Sequence, residues 1–124
     1  MQLQESGEMY LETILVLSQK KPAVRAIDIV EYRQFSKPSV SRALGLLKAG
    51  GFVTVEENGH IRLTETGRAV AEKIYTRHTV LTKVLTSLGV PEAVAAADAC
   101  KMEHVISDET FEALQTHIRE HTAD

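Results

Sequence analysis

The sequence predicts a mainly α fold, a winged helix-turn-helix lobe leading into a second lobe built of helices. Three observations carry that expectation. Two short helix-periodic segments flank the break "QFSKPSV". The period then switches to two residues in "FVTVEENGHIRLTETG", around Asn58-Gly59. From Thr64 the helical period returns and persists towards the C-terminus.

Taken in order, "GEMYLETILVLSQKK" places Met9, Ile14 and Leu17 at helical spacing and stops before Pro22. "AVRAIDIVEYRQ" reads as a short helix with Ile27 and Val30 inward. Past the break, "SVSRALGLLKAGG" repeats Val40, Leu44 and Leu47 at i, i+4, i+7. Pro38 suits its first turn, and Gly50-Gly51 supplies a left-handed stop. Helix, tight turn, helix is helix-turn-helix spacing. Strands over 52–56 and 60–63 form the wing. Asn58-Gly59 between them predicts a type I′ turn, which needs positive φ at both central residues. A helix from 64–67 to Gly89 is longer than a small lobe needs, so it is expected to link two lobes. Helices over 91–105, opened by Pro91, and 108–121, after Ser107, complete the chain. The expected segments are therefore 1–63 for the winged lobe, 64–78 for the linking helix and 79–124 for the last lobe.

At 124 residues and 44% hydrophobic content, the chain can bury one core or two small ones. A 25% charged content without low-complexity tracts argues against disorder. No apolar run reaches membrane-spanning length and the start lacks a secretory pattern, so a cytoplasmic protein without a membrane partner is expected. The single cysteine forbids an internal disulfide. No H-E-x-x-H pair, glycine-rich phosphate loop or nucleophile elbow occurs, and Cys100 with His104 has no third group to orient a base. No enzyme is expected.

The net charge of −3 hides an asymmetry. Residues 25–49 carry Arg25, Arg33, Lys37, Arg42 and Lys48 against Asp28 and Glu31, whereas residues 98–124 carry seven acidic groups against Lys101 and Arg119. The basic stretch coincides with the helix-turn-helix. Ser36, Lys37, Pro38, Ser39 and Arg42 lie at the start of its second helix, on faces left by Val40, Leu44 and Leu47. In this motif such residues meet base edges in double-stranded DNA, and Arg42 can pair bidentately with guanine. Lys48, and Arg62 on the wing, suit phosphates. The bland alternative is a winged helix used only for protein contacts, with these charges solvated.

A second constellation lies in "CKMEHVIS". Cys100, Glu103 and His104 fall on one helical stripe, as a core accident, a redox site or half of a metal site would require. Singly, a cysteine is more often a small buried hydrophobe and a histidine a structural hydrogen-bonding group. Three ligands from one helical turn cannot enclose an ion. Met9 and Glu12 offer a thioether and a carboxylate at i, i+3 on the first helix, and His78 stands on the linking helix. Convergence of all six depends on the fold. His60, His117 and His121 read as surface residues. As a rival, Cys100 activated by His104 could sense oxidants in a winged-helix regulator.

These pieces resemble the metal-dependent repressor family typified by the diphtheria toxin repressor and the manganese transport regulator. The resemblance runs through "EMYLETI" at 8–14, "SKPSVSRALGLLKAGGFV" at 36–53, "LTETGRAVAEKIYTRH" at 63–78 and "CKMEHVISDE" at 100–109. It implies a winged helix-turn-helix lobe, a helical metal-binding and dimerisation lobe, a homodimer on a near-palindromic operator, and repression of metal-uptake genes. Met9, Cys100, Glu103 and His104 match the regulatory site of iron-responsive members; Glu12 and His78 match positions used by manganese-responsive ones. Thr82 and Ala96 replace a glutamate and a histidine of the iron-type ancillary site. Met9 and Cys100 replace two manganese-type carboxylates. A short form without the additional C-terminal domain is expected. Thiolate and thioether donors favour Fe(II), with Mn(II) second, and Zn(II), Ni(II) or Co(II) as ions that also bind in vitro.

Overall fold

The computed structural model describes residues 4–122; the ends of the expected segments, 1–3 and 123–124, lie outside the described residues. The chain divides into two compact units, Met1–Glu72 and Lys73–Asp124. It is a mainly α winged-helix fold, with helices α1 (Glu5–Lys20), α2 (Ala26–Arg33) and α3 (Lys37–Ala49). These are followed by strands β1 (Val53–Val55) and β2 (Ile61–Leu63), then α4 (Glu65–Ser87), α5 (Glu92–Met102) and α6 (Asp108–Thr122).

In the first unit α1 packs against α2, α3 and β2. It is therefore buried around much of its circumference, at Tyr10, Leu11, Glu12, Thr13, Ile14, Leu15 and Leu17. Val40, Leu44 and Leu47 are the buried face of α3, as their spacing predicts. Ile29 is fully buried and Val30, expected inward, packs partly buried against the core, whereas Ile27, also expected inward, is 44% exposed. Over eight residues with apolar side chains at 27, 29 and 30, periodicity leaves the phase of the helix open; packing selects one face. Asp28 closes the start of α2 by accepting the Arg25 backbone N–H at 2.8 Å, and pairs with Lys21. Gln34, at φ 59°, makes the left-handed turn into α3, a conformation most residues avoid.

The wing pairs Val53 with Leu63 and Val55 with Ile61 in antiparallel register. Its turn differs from expectation. Among the described residues, Gln34 is the only non-glycine with positive φ, so of the Asn58-Gly59 pair Gly59 alone is left-handed. Gly59 N–H donates to Glu56 O at 2.8 Å and Glu56 N–H to His60 O at 2.9 Å. This is the three-residue loop in which a type I turn is followed by a left-handed glycine bulge. The Asn58 side chain accepts the His60 N–H at 2.9 Å, a local bond that holds the loop in this alternative. Ile61 N–H also donates to Val24 O at 2.8 Å, which fastens the wing to the segment after α1.

Thr64 caps α4, accepting the Gly67 N–H at 3.1 Å, and the helix continues without interruption into the second unit. There Ile74, Leu81, Val84, Ala95, Ala99 and Ile118 are buried. The alanines at i, i+4 present one flat side of α5. Ser107 caps α6 by accepting the Thr110 N–H at 3.1 Å. Among the described residues no helix is long and apolar enough to cross a membrane.

Candidate metal centre and nucleic-acid face

In the second unit α5 ends at Met102, three residues short of the predicted end. Glu103 is its C-cap, still right-handed at φ −61° and ψ −22°, with its N–H on Ala99 O at 2.9 Å. The helical phase therefore carries one residue further than the helix itself. Val105 and Ile106 N–H groups both reach Met102 O, at 3.1 and 3.2 Å, and turn the chain towards α6. Glu103 is fully buried. Its Oε2 lies 2.9 Å from His78 Nδ1 and its Oε1 3.4 Å from His104 Nε2. Cys100 sits half-buried one turn earlier on α5.

Burying a carboxylate costs several kcal/mol unless positive charge or hydrogen bonds replace its water. His78 meets half of that demand: with Nδ1 protonated it donates to Oε2 and leaves Nε2 as its lone-pair nitrogen. Oε1 accepts no hydrogen bond among the described residues. A buried, orphaned carboxylate oxygen beside an imidazole nitrogen, with a second imidazole and a thiol near by in the chain, is a donor set that fits a divalent transition ion.

In the first unit Met9 and Glu12 stand one turn apart on α1, Glu12 at 4% exposure and Met9 packed against the core. The turn that carries them is tied to the helix-turn-helix. Thr13 Oγ1 donates to Met9 O at 2.8 Å, and Arg33 Nε of α2 donates to Thr13 Oγ1 at 2.8 Å.

The residues expected to meet DNA are all exposed: Ser36, Lys37, Pro38, Ser39, Arg42, Lys48 and Arg62. Ser36 is the N-cap of α3, accepting the Ser39 N–H at 3.2 Å, and its hydroxyl donates to Ser39 Oγ at 2.8 Å. Arg42 rises from the face opposite Val40 and Leu44, and Lys37 stands exposed in the first turn. Arg62 is engaged within the wing, its Nε 2.9 Å from Glu56 Oε2. That hydrogen bond from Arg62, with the Arg62 and His60 charges outweighing desolvation, holds the Glu56 carboxyl below its ordinary range. An exposed pair of this kind is weakened by the surrounding water, so a phosphate can displace it cheaply. Arg25 Nε donates to Asn58 O at 3.1 Å and steadies the wing tip.

Fold and side chains together define a winged-helix protein whose helical unit carries a carboxylate–imidazole cluster. Residues 2–61 match the family model described as "Iron dependent repressor, N-terminal DNA binding domain". Residues 64–124 match "Iron dependent repressor, metal binding and dimerisation domain". The chain belongs to the iron-dependent repressor family. It is 32% identical over 109 residues to the iron-dependent repressor IdeR of Mycobacterium tuberculosis, covering 87% of this chain and 47% of that protein. It is 31% identical over 115 residues to an uncharacterized HTH-type transcriptional regulator of Methanocaldococcus jannaschii, covering 91% of this chain and 92% of that one. The structure of the manganese regulator SloR superposes with a TM-score of 0.82 at 25% identity, covering 91% of this chain and 53% of that one. The chain thus spans about half the length of the IdeR and diphtheria toxin repressor relatives.

Of the six expected metal ligands, His78, Glu103 and His104 meet in the second unit, Cys100 lies on α5 just before Glu103, and Met9 and Glu12 share one turn of the first unit. Sequence reasoning passed over Arg77 and the Arg33–Thr13 bond. A basic residue in an otherwise amphipathic helix reads as solvated until the fold buries it.

Proposed function

We propose that this chain is a metal-dependent DNA-binding transcriptional regulator that represses metal-uptake genes as a homodimer when loaded. Fe(II) is the preferred ion and Mn(II) the second choice. The observation that carries the reading is the fully buried Glu103 carboxylate between His78 and His104, at 2.9 and 3.4 Å. The basic, exposed start of α3 supplies the second half of the argument. Its residues are the type and position that read a major groove.

The proposed ligands are Met9 and Glu12 from the first unit, and His78, Cys100, Glu103 and His104 from the second. Donors from α1, α4, α5 and the turn that follows it would hold the divalent ion, which would supply positive charge there. Met9 and Glu12, engaged there, restrict how the DNA-binding unit swings against the dimer-forming unit. Two recognition helices in a twofold dimer must lie ~34 Å apart to enter successive major grooves of a near-palindrome. Lys37, Ser39 and Arg42 then face base edges and the neighbouring backbone, while Lys48 and Arg62 take phosphates. Reciprocity follows: DNA tightens metal binding by the factor by which metal tightens DNA binding, a coupling of ~1–3 kcal/mol in comparable systems. The sulfur donors Met9 and Cys100 favour Fe(II) over an ion that prefers oxygen alone.

A mobility-shift assay on the DNA upstream of the protein's own gene tests this directly. Retardation is expected with anaerobic Fe(II) or Mn(II) and its loss with chelator. Equal retardation in chelator, or none with any metal, refutes the reading.

A further inference from the structure

We propose that Arg77 is the positioning residue of the metal centre, holding the α5–α6 turn so that Glu103 and His104 keep their places against His78. The inference rests on the metal-binding reading above.

Arg77 is only 5% exposed and precedes His78 on α4. Its Nη1 donates to Glu103 O at 3.1 Å and to Ile106 O at 2.8 Å, and its Nη2 pairs with the Asp108 carboxylate. The Phe111 ring packs on the guanidinium, with 5.5 Å from Cζ to the ring centroid. The demand for such a group comes from the end of α5. The last carbonyls of a helix have no intrahelical donors, and this one stops just before the residues that carry the carboxylate and imidazole. A planar guanidinium offers five donors at fixed angles, enough to span two carbonyls and a carboxylate at once. Asp108 completes the arrangement. It balances a cation that would otherwise sit bare beside a site meant for another cation, and Lys73 approaches the same carboxylate at 3.2 Å.

The geometry makes Arg77 more than a generic core group. It is covalently next to His78 and hydrogen-bonded to the backbone of Glu103. One side chain therefore fixes the spacing between the His78 ring and the Glu103 carboxylate. Loosening it lets the turn drift while the buried apolar residues of α4 and α5 stay in place.

Co(II) titrated anaerobically into the full chain is the test, because its visible absorption reports both affinity and ligand geometry. Arg77→Gln is expected to weaken Co(II) binding by about 10–100-fold and to change the band shape, at a temperature where circular dichroism shows it folded. Arg77→Lys restores part of the affinity, since an ammonium cannot reach all three acceptors together. Amide exchange over 103–107 in the metal-free protein speeds up in Arg77→Gln. A folded Arg77→Gln with unchanged affinity and spectrum overturns the proposal. If that variant does not fold, Asp108→Asn carries the test, and unchanged Co(II) affinity together with unchanged exchange at 103–107 overturns it. Glu103→Gln separates the two readings. No effect of Glu103→Gln on Co(II) binding sinks the metal site itself, whereas a large effect there with none in Arg77→Gln sinks only the role of Arg77.

Discussion

Gly67 is a residue whose meaning only neighbours reveal. A Cβ there would lie 1.9 Å from the Phe52 carbonyl oxygen, so α4 can enter the first unit only because this position has no side chain. Gly67→Ala gains up to ~1 kcal/mol of helix propensity but must push backbone aside. A net loss of about 2 kcal/mol or more is expected, read as a lower urea midpoint. Asp28 makes a second test. Desolvation acts to raise its pKa, but the hydrogen bonds from Lys21 and the Arg25 N–H, with both positive charges, outweigh it and hold the carboxyl below its ordinary value. A depressed folded pKa stabilises the protein fully above the unfolded value of ~4, and that stabilisation is lost as pH falls through the folded pKa. Asp28→Asn should therefore cost about 1 kcal/mol at neutral pH and flatten the stability profile below about pH 4, as followed by thermal melts. At this scale the sequence showed donor types such as Glu103 and His104, but it had no mark for Arg77. Nothing local distinguishes a buried arginine from a solvated one.

The elements were legible where chemistry is local. The helix expected after Ser107 starts there, capped by that residue, and the i, i+4, i+7 pattern of α3 is the buried face. Reading failed where two local solutions compete. Asn58-Gly59 is compatible with more than one hairpin loop, and the register that sets Val55 opposite Ile61, with the Asn58 bond to His60 N–H, goes with the bulged one. Ile27 and Ile29 could each have faced inward in so short a helix. The α3 surface yields a prediction of its own. Arg42→Ala should lose ~1–3 kcal/mol of preference for the operator over unrelated DNA. Lys48→Ala should weaken both alike and lower the slope of log K against log salt by about 1. Electrophoretic titrations across ionic strength distinguish the two. A uniform loss for Arg42→Ala would remove it from base reading.

For the whole molecule, the expected consequence of the proposed centre is that metal response and folding separate. Cys100 is half-buried, so Cys100→Ala should change metal-free stability by no more than about 1 kcal/mol. The same change should weaken Fe(II)- or Co(II)-dependent operator binding by roughly tenfold or more, measured by fluorescence anisotropy across a metal titration. An unchanged metal response would take the thiol out of the site. Order and period of the apolar residues, capping side chains, the Asn-Gly signal and the placement of charge are properties of neighbouring residues, and the sequence alone determined from them a winged helix-turn-helix followed by helices. Which carboxylate is buried, which imidazoles meet it and which arginine steadies the turn depend on residues some 25 positions or more apart, as in the His78–Glu103 and Arg77–Asp108 pairs. Such contacts form when packing closes the chain, because burial, which turns a polar side chain from a solvated charge into a site, is decided by the fold.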